Sequence, residues 1–131
     1  MNTKTKIKHK LADFHLDQNG ILVIHIQKNA FVQTQHIKEM LKIHGELTNG
    51  KRCPCVMVLG DYANVSINGR KFLATEDAVQ FSLCEAFVVK SLAQKILGNF
   101  YLKFDKPNVP SRLFNNFEDA YAWAKTFITK D

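Results

Sequence analysis

The sequence is short of the residues that mark several classes of protein. Its 131 residues include three cysteines, an odd number too small for a disulfide framework, so we expect a reducing compartment. No apolar run is long enough to cross a bilayer. The basic N-terminus lacks the apolar core and cleavage site of a secretory signal. These absences predict a cytoplasmic protein without a transmembrane segment.

Catalytic and nucleotide-binding motifs are also missing. No glycine-rich loop suits a nucleotide phosphate, and there is no CxxC pair or nucleophile elbow. Cys53 and Cys55 form half of a possible zinc site, but no second pair follows, so we interpret them as buried cysteines beside a strand. His44 interrupts an apolar helix face and is interpreted as a hydrogen-bonded packing residue. The sequence therefore predicts no metal, no cofactor and no enzymatic activity.

The positive charge is unevenly distributed. The formal net charge is +6, but the first ten residues hold four lysines and no acid, which leaves fourteen basic and twelve acidic side chains elsewhere. A nucleic-acid partner is therefore not expected. Residues 1–10 are either a charged edge strand or an arm that binds phosphate or a membrane surface, and residues 11–131 are expected to form one domain. The alternating spacing would place the four lysines on one face of an extended strand: Lys4, Lys6, Lys8 and Lys10.

Hydrophobic periodicity predicts alternating strands and helices. Residues 11–27 read as a β-hairpin, in which a three-residue loop ending at Gly20 pairs Phe14 with Ile24 and Leu16 with Leu22. Further strands are expected at 54–60, 84–89 and 111–114. Helices are expected at 34–48, after residue 66, at 92–104 and after residue 116, and each has a polar candidate N-cap: Thr34, Ser66, Ser91 and Asn116. The predicted fold is α/β, with an N-terminal β-hairpin followed by βα units and a mostly parallel sheet of about five strands with helices packed on it.

This order, with the run FVVKSLAQKILGNFYLKFDKPNVPSRLFNNFEDAYAWAKTF, resembles STAS-like domains, the fold of anti-sigma-factor antagonists and stage-II sporulation protein AA. The look-alikes are small bacterial single-domain proteins. In the family, a phosphorylatable Ser lies in an Asp-Ser-x-Gly turn. The corresponding turn here is residues 65–69, in which Gly69 matches but the Asp-Ser pair does not, so Ser66 is interpreted as a plain N-cap. The resemblance implies a non-enzymatic protein-interaction or regulatory module.

Two surfaces are candidates for binding. The carboxyl ends of the parallel strands and the helix starts beside them could bind an anion or another small ligand through these residues: Asp61, Ser66, Arg70, Lys90, Ser91 and Lys95. The helix 92–104 carries more large apolar residues than a cover helix needs, which predicts either burial on both sides or contact with a protein partner or a second copy. Its candidate interface residues are Leu92, Ile96, Phe100, Tyr101 and Phe104. The alternative to an interaction module is a module that binds a lipid or an anionic metabolite.

Overall fold

A computed structural model of the protein describes residues 5–128. Eight strands, four α-helices and one π-helical turn follow one another along this part of the chain. The strands are β1 Lys6–His9, β2 Ala12–Leu16, β3 Leu22–Ile26, β4 Phe31–Val32, β5 Cys53–Leu59, β6 Asn64–Val65, β7 Ser82–Val88 and β8 Ser111–Phe114. The helices are α1 Thr34–Thr48, α2 Ile67–Leu73, α3 Leu92–Phe100 and α4 Phe117–Lys125, and the π-helical turn is Tyr101–Asp105.

The main sheet has six strands in the order β1-β2-β3-β5-β7-β8, and β4 pairs with β6 in a separate two-stranded unit. The first three strands are antiparallel and the remaining pairs are parallel. This is the predicted α/β architecture, with one strand more than expected because the basic N-terminal segment itself forms β1 at the edge. Lys6 and Lys8 lie exposed on β1, Lys10 lies in the turn that follows, and Lys4 is outside the described residues. An edge strand carrying lysines discourages pairing with other chains.

The hairpin has the register expected from its sequence. Phe14 faces Ile24 and Leu16 faces Leu22. Asp17 N–H donates to the carbonyl of Ile21, which closes a loop of residues 18–20. Gly20 adopts φ +81°, a left-handed conformation that glycine reaches without a Cβ clash.

Helix caps explain most of the helix boundaries. The side chains of Ser66, Ser91 and Asn116 each accept a hydrogen bond from a backbone N–H three residues later, as predicted. Thr34 is not an N-cap: it is the first residue of α1, and Gln33 takes the N-cap position. His36 supplies the capping contact there, because its Nδ1 accepts from the Gln33 backbone N–H at 3.0 Å.

Each face of the sheet has its own apolar core. One core contains the inward residues of β2, β3 and β5 with α1, and the other contains residues of β3, β5 and β7 with α4. Helix α3 crosses over β8, where Gly98 comes so close to Leu113 that an added Cβ would lie 2.8 Å from its methyl carbons. Among the described residues, none of the helices has the length and apolar character required to cross a membrane.

Candidate functional site

The residues predicted to bind an anion are mostly engaged with one another or with nearby groups. Lys90 Nζ lies 3.9 Å from Asp61 Oδ1, so these two do come together. Arg70 instead pairs with Asp105, with 2.6 Å between Nε and Oδ2, and its guanidinium lies over the ring of Phe100. Lys95 is exposed on α3. Because the nearest cations already face carboxylates, the geometry does not favour this site, and anion binding there stays a prediction.

The predicted interface residues divide between the surface and the interior. Four of the side chains are largely exposed: Leu92 at 72%, Ile96 at 62%, Phe100 at 43% and Phe104 at 60%. Tyr101 is 5% exposed, so it does not belong to that surface. The helix was expected to run to residue 104, but from Tyr101 it continues as a π-helical turn, in which the Lys106 N–H donates to the Tyr101 carbonyl five residues earlier. Helix α3 and the π-helical turn thus expose Leu92, Ile96, Phe100 and Phe104, while Leu97 and Tyr101 face the interior.

An apolar cavity of about 160 Å³ lies beneath α3, between the sheet and helices α1 and α2. Its wall is built largely from aliphatic and aromatic side chains of β2, β3, β5 and the covering helices. A cavity of this size is comparable to one that accommodates benzene in an engineered protein core. The polar side chains in its wall are His44, Asn64, Arg70, Glu85, Gln94 and Tyr101.

Two of these polar groups are buried without a hydrogen-bond partner among the described residues. They are Glu85 Oε1 and the Tyr101 hydroxyl, on side chains that are 2% and 5% exposed. Gln94, by contrast, is fully used: its amide donates to the carbonyls of Gly60 and Ala63 and accepts from the Lys90 N–H. A buried polar atom left unpaired costs about 1–3 kcal/mol, so the two unpaired atoms distinguish this cavity from an ordinary packing void.

The surroundings of Glu85 favour its neutral form. Burial raises its pKa to about 7, and the hydrogen bond that Ser82 Oγ donates to Oε2 at 3.3 Å offsets only part of that effect. Burial likewise raises the pKa of Tyr101 far above its ordinary value, and the Glu85 and Asp105 carboxylates add to the effect. Near neutral pH the cavity therefore offers a carboxyl group that titrates and a hydroxyl that keeps its proton.

A cluster of sulfur and nitrogen atoms lies beside the cavity. His44 on α1 brings Nε2 to 3.7 Å from the sulfur of Cys53 and to 3.7 Å from the sulfur of Cys55, both on β5. Cys55 Sγ is also 3.4 Å from Ser82 Oγ, which links the cluster to Glu85. Hydrogen bonding with Cys55, assisted by His44, lowers the pKa of Cys53 to about 5 although burial opposes it, while the same pairing and burial raise the pKa of Cys55. One proton of the pair is therefore lost readily and the second with difficulty.

The sequence pointed to Cys53 and Cys55 as a pair and to His44 separately, and Glu85 was missed. The alternation of strands and helices along the chain was predicted, but neither the order of the strands within the sheet nor the positions of these side chains was. The signal that could have found Glu85 is an acid inside the apolar run CEAFVV, since a charged residue in a buried strand requires a partner or a shifted pKa.

Comparison with known proteins agrees with this architecture. A family model described as a domain of unknown function, DUF7793, matches residues 14–128. The chain belongs to that family. No curated protein matches the sequence. Among solved structures, the chain is similar to an uncharacterised protein of the DUF3478 family with a SpoIIAA-like fold from Shewanella loihica PV-4, with a TM-score of 0.54 and 11% identity over 95% of this chain and 98% of the other. At that identity the likeness establishes a shared STAS-like fold, as the sequence predicted.

Proposed function

We propose that this protein is a non-enzymatic STAS-like module that binds a small, mainly apolar molecule with one hydroxyl or amide group in the cavity beneath α3. The proposal rests on two buried atoms in the wall of a largely apolar cavity, Glu85 Oε1 and the Tyr101 hydroxyl, which have no hydrogen-bond partner within residues 5–128. An apolar pocket with a few convergent polar groups and a perturbed pKa is the usual form of a ligand site.

The two polar atoms restrict the chemistry of the ligand. Burial raises the pKa of Glu85 to about 7, so near neutral pH part of the protein carries an ionised Glu85 that accepts a hydrogen bond, and the Tyr101 hydroxyl donates one. A group that donates and accepts at once, such as an alcohol, a phenol or an amide, satisfies both. An anionic head group is disfavoured, because it would meet the Glu85 carboxyl while the nearest guanidinium, that of Arg70, is already paired with Asp105. A neutral ligand is therefore preferred to an anionic metabolite.

The test uses two probes of matched shape, benzyl alcohol and ethylbenzene, of which only the first carries a hydroxyl. Calorimetric titration of the wild-type protein is expected to show saturable binding of benzyl alcohol. Tyr101→Phe should weaken it by about tenfold, the equivalent of one buried hydrogen bond of about 1.4 kcal/mol. Binding of ethylbenzene should not weaken in that variant, because no hydrogen bond to it is lost.

Tyr121→Phe is the matched control. Tyr121 lies on α4, across the sheet from the cavity, and its hydroxyl bonds to Asp17 and Asn19. Its removal should leave the affinity for benzyl alcohol unchanged. Absence of saturable binding in the wild type, or equal weakening by both tyrosine substitutions, would contradict a ligand site at this cavity.

A second candidate function is docking of another protein on the exposed face of α3 and the π-helical turn. The side chains of Leu92, Ile96, Phe100 and Phe104 provide the apolar surface, and the rings of Phe100 and Phe104 lie 4.7 Å apart. Two basic side chains on this face favour an acidic partner: Lys103 lies over Phe104, and Lys95 is exposed on α3. An amphipathic segment with acidic flanks complements this face better than a second copy, which would bring like charges together.

Fluorescence anisotropy with a labelled amphipathic helix peptide, one leucine face flanked by glutamates, tests this second candidate. Ile96→Glu should abolish binding, whereas Phe31→Glu, at an exposed aromatic residue on β4, should preserve it. The same peptide with lysines in place of the glutamates should bind more weakly. Light scattering should show a monomer; a dimer that Ile96→Glu separates would identify a second copy as the occupant instead.

A further inference from the structure

We propose that His44, Cys53 and Cys55 form a zinc site, with three protein ligands supplied by α1 and β5. All three side chains are buried, and their ligand atoms lie within 4.8 Å of one another. Neither the ligand-binding proposal nor the docking proposal depends on this site, and from the sequence alone no metal was expected.

The distances agree with a tetrahedral metal centre. Zinc bonds of about 2.3 Å to sulfur and about 2.1 Å to nitrogen place a sulfur and a nitrogen ligand about 3.6 Å apart. His44 Nε2 lies 3.7 Å from each sulfur. His44 Nε2 is therefore already at the spacing that the ion requires from both sulfurs, so little movement of α1 against β5 is needed.

A hydrogen-bonded thiol–imidazole cluster explains the same geometry less well. The imidazole Nε2 either donates one hydrogen or accepts one from a thiol through its single lone pair, yet it is equally distant from both sulfurs. A cation at the centre of the three atoms interacts with all of them at once. Two sulfurs and an imidazole are also the donors that zinc prefers over magnesium or calcium.

The position of the cluster leaves room for entry of the ion and for a fourth ligand. His44 forms part of the cavity wall, so the ion has a path to the cluster through the cavity. Around Cys55, the Ser82 hydroxyl at 3.4 Å supplies an outer contact of the kind that orients metal ligands. With three protein ligands, one tetrahedral position remains for water.

Zinc and cobalt binding by the reduced full-length protein tests the site. Titration against a chromophoric chelator should give one zinc ion per chain. Cobalt, used as a spectroscopic probe, should produce a thiolate-to-metal charge-transfer band. The histidine and carboxylate side chains near the surface, such as His9 and Glu39, could bind a metal without giving that band. The band therefore assigns the ion to the cysteines.

Cys84→Ser is the matched control, since Cys84 is also a free, fully buried cysteine but lies in the core on the opposite face of the sheet. Loss of a residue that only supports a metal ligand lowers metal affinity by roughly 10- to 100-fold. Cys53→Ser removes a ligand, so it should lower zinc affinity by more than that and should remove the charge-transfer band of the cobalt form. Cys84→Ser should retain both. Circular dichroism of the metal-free variants checks folding, and His44→Asn provides a second test if Cys53→Ser does not fold. A reduced wild type that binds no zinc, or a Cys84→Ser variant that loses it equally, would overturn the proposal.

Discussion

Replacing Glu85 by Gln should stabilise the protein at neutral and alkaline pH and leave it almost unchanged in acid. Glu85 is 2% exposed, and its Oε1 has no partner among the described residues. Glutamine has nearly the same shape and cannot ionise. Its carbonyl oxygen can still accept the hydrogen bond that Ser82 now donates to Glu85. The substitution therefore removes the cost of burying a charge while keeping the packing.

The magnitude follows from proton linkage. The pKa of Glu85 is about 7 in the folded protein, against an ordinary value of 4.5 in the unfolded chain. Between these two values the folded state binds more protons than the unfolded state, so the free energy of unfolding falls as pH rises. Below the pKa of the unfolded state Glu85 is neutral in both states and the protein keeps its full stability. This part of the stability is lost as the pH rises through the pKa of the folded state. At about 1.4 kcal/mol per pKa unit, the total loss is about 3 kcal/mol.

Urea unfolding of wild type and Glu85→Gln across this pH range measures the effect, and the difference between the two cancels the titration of every other group. The difference in the free energy of unfolding should be near zero in acid and should rise to about 3 kcal/mol in favour of the variant above neutral pH. Glu39→Gln provides a control of opposite sign, because the hydrogen bond with His9 lowers the pKa of the exposed Glu39 carboxyl. That variant should be less stable than wild type at neutral pH. A Glu85→Gln difference that does not change with pH would refute the linkage argument.

Three further substitutions test the packing around the site by urea unfolding. Gly60→Ala should cost about 1–3 kcal/mol, because the added Cβ would lie 2.6 Å from the carbonyl oxygen of Ile26, a backbone atom that cannot easily move away. A loss of stability below a few tenths of a kcal/mol would contradict the close approach. Ser91→Ala should cost about 1 kcal/mol by removing the N-cap of α3, and Ser91→Asp should restore most of it. Arg70→Ala should cost more than Ser91→Ala, since it leaves the largely buried Asp105 carboxylate unpaired, and the double variant with Asp105→Asn should recover part of the loss.

The register and most boundaries of the fold were predictable because they depend on local rules. Parity alone decides which face of a hairpin strand is buried, so the pairing of Phe14 with Ile24 followed from the alternation of residues 12–16 and 22–26. The caps Ser66, Ser91 and Asn116 followed from the preference of helix N-termini for small polar side chains.

Other elements have no local signal strong enough to predict them. The strands β4 and β6 contain two residues each and pair only with one another, so they show no periodicity. At the N-terminus of α1, the backbone N–H of the N-cap residue Gln33 donates to the side chain of His36. Neither glutamine as an N-cap nor histidine three residues later is among the usual capping residues. The π-helical turn after Phe100 depends on how α3 packs against α2 and the sheet. Because the sequence does not predict this turn, the buried position of Tyr101 could not be inferred from it.

The sequence pointed to several residues of the candidate site but not to their arrangement. His44, Cys53 and Cys55 were each singled out in the sequence, but their meeting depends on the rotation of α1 about its own axis over β5. A hydrophobic pattern fixes that rotation to within one broad face and cannot place three ligand atoms within bonding distance of one point. The cavity depends in the same way on how closely α3 approaches the sheet, which composition does not reveal.

The most direct test of the proposed ligand site is a two-dimensional amide NMR titration of the full-length protein with benzyl alcohol. The cavity predicts saturable shifts that cluster at Glu85 and Tyr101 and extend to residues of the wall such as His44, with the α4 face unaffected. Saturable shifts restricted to the exposed face of α3, or the absence of any saturable shift, would contradict ligand binding in the cavity. The first of these results would instead favour the docking surface.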